Sequence, residues 1–270
     1  MPPTVAITSL TNPRVKQVVK LREHRERRRT GLFIAEGLRE VTRAAAAGLR
    51  MRELWLCPEL LGATRVDIEA DAAFEVPTAV LRKMAYVREP EGVLAVVDQP
   101  PPEVFLESSA LAAGDALLLV AVGTEKPGNL GAMVRTADAA GCAGVLAAGT
   151  PVDVFNPNAI RTSTAAVFTL PVLCLDEAAA RDWLLQHRFK VFATSPHGGD
   201  ARLHTEVDYT GRVAIVIGPE DRGLDDAWYD LAQQTSGGRV TIAMHARAVD
   251  SLNASTSAAV MLFEALRRRG

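Results

Sequence analysis

Apolar runs alternate with helix-like segments throughout the second half of the chain. Short runs that are rich in Val, Leu and Ile are typical of strands buried on both faces of a parallel sheet. The predicted strands are 116–122, 145–147, 167–172, 190–193, 213–217 and 240–244. The predicted helices are 130–140, 158–165, 177–186, 225–233 and a C-terminal helix at 254–269, which is apolar nearly all round and therefore predicted to be buried. This alternation predicts an α/β fold with a mostly parallel sheet and helices on both faces.

A smaller α/β unit is predicted in the first half of the chain. Asn12 can cap a helix that has Pro13 at its first position and that runs to Gly31. Strands at 32–35, 54–56, 74–76 and 93–97 alternate with helices at 38–47 and 79–84. The prolines at 100–102 interrupt this pattern, because proline lacks a backbone donor and restricts the residue before it. We therefore predict a first domain at 1–97, a linker at 98–114 and a second domain at 115–270.

Composition places the chain among packed globular proteins. Hydrophobic residues make up 48% of its 270 residues, and no apolar run is long enough to span a membrane. The N-terminus lacks the basic and then apolar pattern of a secretion signal. Cys57, Cys142 and Cys174 are far apart, and their spacing indicates neither a metal site nor a disulfide framework. We therefore expect a cytoplasmic protein without a metal site or a membrane contact.

Positive charge is concentrated near the N-terminus. Residues 14–29 contain eight Lys and Arg against two Glu, a local charge of +6 on a chain whose formal net charge is −2. One basic element on an otherwise acidic body predicts contact with a polyanion. A solvated helix face with internal ion pairs is the alternative, and charge alone does not separate the two. The basic residues are Arg14, Lys16, Lys20, Arg22, Arg25, Arg27, Arg28 and Arg29.

Three polar blocks follow predicted strands, which is where parallel sheets bind their ligands. In the block at 123–137, Gly131 and Ala132 lie one turn from Arg135 and leave room for a phosphate or carboxylate on the guanidinium. The block at 217–224 is a charged loop between two glycines. The block at 250–255 has more polar groups than a helix cap requires, which suggests a ligand at the helix N-terminus. Ordinary turns are the alternative for the first two, and none is a dinucleotide or phosphate-loop fingerprint.

Together these blocks resemble the three motifs of the SpoU-type RNA ribose 2′-O-methyltransferases, in the SPOUT superfamily. Motif one matches Asn-Leu-Gly and Arg-Thr-Ala within 129–137, motif two matches Ile-Gly-Pro-Glu and Gly-Leu within 217–224, and motif three matches Ser-Leu-Asn-Ala-Ser at 251–255. A further family segment is similar to 156–172, and 33–37 resembles part of the RNA substrate-binding domain that many members carry. The family usually has Pro where Ala243 stands and Gly where Ala165 stands, but neither departure removes a reacting side chain.

The resemblance implies a cofactor, a knot and a dimer. S-adenosylmethionine is expected at a trefoil knot in the second domain, and a homodimer is expected with the active site near the subunit interface. Gly218, Ile242 and Leu252 are expected to hold the cofactor, largely through backbone groups. The resemblance also places five residues in the catalytic pocket: Asn129, Arg135, Glu220, Ser251 and Asn253.

Methyl transfer from a sulfonium is an in-line displacement, so the enzyme must align the reacting atoms and remove the proton of the 2′-hydroxyl. The family's usual candidate base is Arg135, but arginine stays protonated in proteins. We therefore predict that Arg135 binds the adjacent phosphate and stabilises the developing oxyanion. Glu220 is expected to hold the loops of motifs one and three or, if it is buried, to act as the base. Ser251 and Asn253 are expected to bind the ribose or to order the cofactor loop.

RNA binding is expected to involve both domains. The expected RNA-binding residues are Arg25, Arg27, Arg28, Arg29 and Arg161. The two-domain layout favours 23S rRNA as the substrate over tRNA, although a tRNA 2′-O-methyltransferase remains an alternative. A non-catalytic RNA-binding ribosome-assembly factor is a second alternative, which the intact motif residues argue against. A nucleotide- or flavin-binding oxidoreductase is a third, and the missing dinucleotide fingerprint disfavours it.

Overall fold

Two compact units make up the chain. The computed structural model describes residues 4–101, 114–149, 153–196, 200–245 and 251–270. The first unit contains Met1–Pro101 and Asp153–Thr169, and the second contains Pro102–Val152 and Leu170–Gly270. The predicted domains differ from these units in the position of 153–169, which packs within the first unit. Most of the predicted linker at 98–114 lies outside the described residues, and no described helix is long and apolar enough to cross a membrane.

The first unit is built on a five-stranded mixed sheet. Its strands are β1 (Thr4–Ala6), β2 (Leu32–Glu36), β3 (Met51–Leu56), β4 (Ala72–Glu75) and β5 (Val93–Asp98), in the order β1-β4-β3-β5-β2. Its helices, numbered along the whole chain, are α1 (Pro13–Lys20), α2 (His24–Thr30), α3 (Leu38–Ala46), α4 (Pro58–Leu61), α5 (Thr78–Met84) and α7 (Pro157–Thr162). The rings of Trp55 and Phe74, 4.5 Å apart, lie in a core that also contains buried residues of α1 and α5. Among the described strands, β2 pairs only with β5 and is therefore an edge strand.

The predicted basic helix is in fact two helices, so that prediction is wrong in its extent. Asn12 caps α1 as expected, with its side chain accepting a hydrogen bond from the backbone N–H of Arg14 at 2.9 Å. The chain then turns at 21–23, where successive N–H groups bond three residues back. The carbonyl of Leu21 accepts a hydrogen bond from the guanidinium of Arg27 at 2.5 Å, so a side chain replaces the next backbone donor of the helix. Helix α2 then ends at Thr30 and is followed by Gly31, whose φ of +66° caps it.

The second unit confirms the predicted α/β fold. Its seven strands are all paired in parallel, in the order β10-β12-β9-β11-β6-β7-β8. They are β6 (Ala116–Val122), β7 (Gly144–Ala148), β8 (Val172–Leu175), β9 (Lys190–Thr194), β10 (Arg202–Leu203), β11 (Arg212–Ile217) and β12 (Gly238–Thr241). Its helices are α6 (Pro127–Ala139), α8 (Glu177–Gln186), α9 (Asp226–Gln234) and α10 (Ala254–Arg269).

Two predicted strands are misplaced. The run 167–172 is not a strand, because Ala166–Phe168 is a 3-10 turn and β8 begins only at Val172. Val167 and Phe168 are nevertheless buried, so this apolar run marks core packing. Strand β12 ends at Thr241 rather than at 244, and Ala243 beyond it is exposed.

The C-terminal helix is buried on one side only, which corrects the prediction of burial nearly all round. Ala258, Met261 and Ala265 of α10 are fully buried. Phe263 is 48% exposed and Leu266 is 40% exposed in the single chain. An apolar strip of α10 therefore faces outward.

The sheet of the second unit brings three strand ends together. Strand β9 lies between β11 and β12, and all three run in the same direction. Their last residues, Thr194, Ile217 and Thr241, therefore lie at one edge of the sheet. Polar loops follow two of these ends in sequence, and this arrangement positions the candidate site.

Candidate active site

A cleft lies at the carboxyl ends of β9, β11 and β12. Thr194, Ile217 and Thr241 line it together with the loops that follow them. The space between the lining residues is about 640 Å³, including the part open to solvent. The cleft is also lined by the residues that were predicted to hold the cofactor: Gly218, Ile242 and Leu252.

Gly218 allows the loop of motif two to fold tightly. A Cβ atom at Gly218 would lie 2.9 Å from the carbonyl carbon of Gly223 and 2.9 Å from the backbone nitrogen of Leu224. Both contacts are with backbone, which cannot move aside as a flexible side chain can. Gly223 has a φ of +67°, a conformation that favours glycine. The glycines at both ends of this loop are therefore required by its geometry.

Glu220 connects motif two to the other two motifs. Its Oε1 atom accepts a hydrogen bond from Asn129 Nδ2 at 3.2 Å and another from the backbone N–H of Ala254 at 3.1 Å. Asn253 Nδ2 donates to the same oxygen. Glu220 is an exposed residue in the single chain, so the burial that a role as base requires is not observed. The geometry is that of a carboxylate that holds loops together.

The N-terminus of α10 is capped by protein groups. Asn253 Oδ1 accepts hydrogen bonds from the backbone N–H groups of Ser255 at 3.0 Å and Thr256 at 3.4 Å. The N–H of Ala254 is bonded to Glu220, whose negative charge is favourable beside the positive end of the helix dipole. These contacts correct the prediction that a ligand uses the free N–H groups at this helix start. Ser251 lines the cleft, while Asp250 lies outside the described residues.

Arg135 is not brought to the cleft within the described part of the chain. It lies on α6, is exposed, and has no hydrogen-bond or ion-pair partner among the described residues. Asn129, which precedes Arg135 on α6, does reach the site through its bond to Glu220. A free, exposed guanidinium remains able to bind a phosphate, but its role stays a prediction.

One predicted RNA-binding residue is contradicted by its burial. Arg27 is 1% exposed, and its Nε atom donates to Asp153 Oδ2 at 3.0 Å. Its Nη1 atom donates to the carbonyl of Leu21, so the guanidinium is enclosed by protein and does not face RNA. The other predicted RNA-binding residues are exposed: Arg25, Arg28, Arg29 and Arg161.

Sequence reasoning missed several residues that line the cleft. Thr194 was assigned no role, although it directly follows a predicted strand at the same sheet edge. Ser257 lies one turn into α10 and was treated only as part of a helix. The position of Thr194 after a strand is a signal that could have identified it. Ser257 required knowledge of which side of α10 faces the cleft.

The lining of the cleft suits S-adenosylmethionine. Val240, Met244 and Leu252 provide apolar surface, and hydroxyl groups of the strand ends and of motif three provide polar contacts. Glu220 is the only charged residue among the described lining residues. A single carboxylate suits a ligand that carries positive sulfonium and ammonium groups, whereas a pyrophosphate requires positive or N–H-rich surroundings. Among the described residues, no group of three or more His, Cys, Asp or Glu could hold a metal ion.

Comparison with known proteins agrees with this geometry. The SpoU rRNA Methylase family matches residues 116–263, and the MRM3-like substrate binding domain matches residues 12–95. The chain is 31% identical to a 23S rRNA (uridine(2479)-2′-O)-methyltransferase of Streptomyces viridochromogenes, over 96% of this chain and 91% of the relative. The chain belongs to the SpoU rRNA methylase family. It is an RNA 2′-O-methyltransferase that uses S-adenosylmethionine, as the motifs predicted.

Solved structures resemble the chain over nearly its whole length. A crystal structure of an RNA 2′-O ribose methyltransferase has a TM-score of 0.82 and 40% identity, covering 98% of this chain and 99% of that one. An AdoMet-bound rRNA methyltransferase from Sinorhizobium meliloti also has a TM-score of 0.82, with 29% identity and 98% of each chain covered. The alternatives of an oxidoreductase and of a non-catalytic protein find no support in these relatives.

Proposed function

We propose that the substrate of this methyltransferase is 23S rRNA and that the enzyme acts in the cytoplasm. The observation that carries the proposal is the similarity, over almost the whole chain, to a relative that methylates a uridine of 23S rRNA. The match of residues 12–95 to a substrate-binding domain supports the same class of RNA.

The proposed roles of the cleft residues follow from their contacts. S-adenosylmethionine, when bound, supplies the methyl group. We propose that Gly218, Ile242 and Leu252 hold this cofactor largely through backbone groups, since all three line the cleft. Glu220 holds the loops of motifs one and three in register through its three hydrogen bonds.

Arg135 is proposed to act on the substrate rather than on the cofactor. Its exposed guanidinium is free to bind the phosphate beside the target ribose and to stabilise negative charge as the 2′-hydroxyl loses its proton. The proton then leaves to a phosphate oxygen or to water. Ser251 lines the cleft and is proposed to bind the ribose. Asn253 orders the loop, because both ends of its amide are already bonded within the protein.

The test of the substrate uses three RNA classes side by side. Purified 23S rRNA, 16S rRNA and bulk tRNA are incubated with the protein and with S-adenosylmethionine labelled in its methyl group. We expect label in 23S rRNA at one ribose. Label in tRNA alone would support the tRNA methyltransferase instead, and RNA binding without any transfer would support the assembly factor.

Exposed arginines of α2 are proposed to contact RNA phosphates. Arg25 and Arg28 have no ion-pair partner among the described residues, whereas Arg29 pairs with Glu26 at 2.5 Å. Replacing either Arg25 or Arg28 with Gln should weaken RNA binding and flatten the salt dependence of RNA binding. The slope should fall by about 0.7–0.9 for each phosphate that the variant no longer neutralises.

A matched control removes one positive charge elsewhere in the same unit. Arg50 pairs with Asp71 on the surface at 3.0 Å, and Arg50→Gln is expected to leave the salt slope unchanged. An unchanged slope in the Arg25 and Arg28 variants would mean that α2 is only a solvated helix.

A homodimer and a trefoil knot are proposed on the family resemblance. The outward apolar strip of α10, with Phe263 and Leu266, supports the dimer because large exposed apolar side chains mark interaction surfaces. Sedimentation should give a dimer for the wild type and a monomer for Leu266→Glu. Leu10 is 43% exposed in the first unit, so Leu10→Glu is a control that should remain dimeric. A monomeric wild type would contradict this part of the proposal.

A further inference from the structure

The segment 153–169 leaves the second unit and completes the first. It lies in sequence between β7 and β8, which are paired strands of the second unit's sheet. Asn156 caps its helix α7, with the side chain accepting a hydrogen bond from the backbone N–H of Asn158 at 2.9 Å. Despite this position in sequence, the segment packs within the first unit. We refer to 153–169 as the strap.

Aromatic packing holds the strap to the edge strand β2. The ring of Phe33 is stacked on that of Phe155, with centroids 4.7 Å apart, and lies 5.3 Å from that of Phe168. Phe33 is fully buried, although β2 is at the edge of its sheet. The strap therefore supplies the packing that an edge strand would otherwise lack on this face.

A buried ion pair holds the strap to α2. Arg27 is 1% exposed, while the side chain of its partner Asp153 is 13% exposed. The same guanidinium donates to the carbonyl of Leu21, so it fixes the turn before α2 and the start of the strap together. A buried charge of this kind is retained only when it is paired, because an unpaired one is costly.

The strap also contains strained backbone that a third contact supports. Thr164 has a φ of +51° and Ala165 a φ of +68°, and a β-branched residue in this region is unusual. The guanidinium of Arg43 on α3 donates to the carbonyl of Thr164. Strained residues persist where the surrounding structure fixes their conformation. The strap is therefore fixed to the first unit at its beginning and near its end.

We propose that Arg27 is a positioning residue for RNA binding: through Asp153 it fixes the strap so that the exposed Arg161 on α7 contacts RNA as part of the first unit. The inference rests on the proposed function, since it assigns a means of binding the same RNA. Arg27 links the two elements directly, because it lies on α2 beside the exposed Arg25 and Arg28 and bonds to the strap. Its side chain, although predicted to touch RNA, acts from the interior.

The test is a cycle of variants with the full chain and purified 23S rRNA. Arg161→Ala should raise the KM for RNA by roughly fivefold to tenfold, the value of one phosphate contact. Asp153→Asn should raise it by a similar factor and leave kcat and the affinity for S-adenosylmethionine unchanged. The double variant should show no larger effect than either single variant, because Arg161 contributes only when the strap is fixed. Asp153→Glu, unlike Asp153→Asn, keeps a carboxylate and should have a KM for RNA close to that of the wild type.

Controls separate positioning from loss of stability. Asp71→Asn breaks an exposed Arg–Asp pair of the same unit and should leave the KM unchanged. If Asp153→Asn does not fold, Phe155→Leu loosens the strap while keeping the ion pair, and the same rise in KM is expected.

Two results would overturn the inference. One is that Asp153→Asn or Phe155→Leu lowers the melting temperature without changing the KM for RNA. The other is that the increases in KM caused by Asp153→Asn and Arg161→Ala multiply in the double variant. A wild type that transfers no methyl group to any RNA would refute the proposed function instead. The inference would then be decided by the affinity for 23S rRNA in the same variants.

Discussion

Replacing Glu220 distinguishes a residue that holds loops from a catalytic base. Gln at this position keeps an oxygen that can accept from Asn129, Asn253 and the N–H of Ala254, but it loses the negative charge. A hydrogen bond to a charged group contributes about 1.5–3 kcal/mol and a neutral one about 0.5–1.5 kcal/mol, so each bond weakens by about 1 kcal/mol. Because the three bonds share one exposed oxygen, screening by water reduces the total loss of stabilisation to roughly 1–2 kcal/mol.

This magnitude predicts a graded series of rates. If the lost energy appears in the transition state, Glu220→Gln slows methyl transfer by roughly 5- to 30-fold. Glu220→Ala leaves all three donors without an acceptor, and a loss of about 2–3 kcal/mol corresponds to roughly 30- to 150-fold. Single-turnover transfer of labelled methyl groups to 23S rRNA measures both, over the pH range in which the wild type is stable.

The shape of the pH profile provides the decisive comparison. A residue that only holds loops leaves the profile unchanged in the Gln variant. General base catalysis contributes about 10²–10⁴-fold, and both variants would lose all of it. Equal losses of about 10³-fold in the Gln and Ala variants, together with a changed pH profile, would refute the reasoning and make Glu220 the base.

Three further predictions concern single residues. Gly218→Ala should weaken S-adenosylmethionine binding about tenfold or more in calorimetric titration, because the new Cβ would lie 2.9 Å from backbone atoms and displace the loop; an unchanged Kd would contradict this. Arg135→Lys should lower kcat by roughly tenfold or more without changing cofactor affinity, since lysine lacks the planar bidentate fork; near-normal turnover would remove the proposed role. Burial raises the pKa of Cys142 to about 12. An alkylating reagent near neutral pH should therefore modify the exposed Cys174 before Cys142. Comparable labelling of both cysteines in the folded chain would show that Cys142 is not buried.

The second unit and its ligand-binding edge were largely predictable from the sequence. Buried parallel strands leave long apolar runs, and the polar blocks that follow them must meet at one edge of the sheet. The contact of Asn129 and Asn253 with Glu220 follows from that rule, although 91 residues separate Asn129 from Glu220. Which oxygen accepts which donor did not follow, because hydrogen-bond partners depend on loop conformation.

The sequence predictions were wrong where a residue far away in sequence determines the local structure. Arg27 belongs to a run of cations that predicts contact with RNA, but it is buried and paired with Asp153, which is 126 residues away in sequence. Phe168 lies in an apolar run that is compatible with a strand or with core packing, and contact with Phe33 decides between them. The surplus of polar groups before α10 predicts a ligand at the helix N-terminus. Its interpretation changed because Glu220 and Asn253, rather than a ligand, satisfy the helix start.

The most direct test of the central claim is the position of the transferred methyl group. The protein is incubated with 23S rRNA and labelled S-adenosylmethionine, and the product is cleaved with alkali. Alkaline cleavage requires a free 2′-hydroxyl, so a 2′-O-methylated ribose leaves one labelled dinucleotide intact. We predict that all of the label is found in such a dinucleotide. Label in mononucleotides would place the methyl group on a base and would contradict the account.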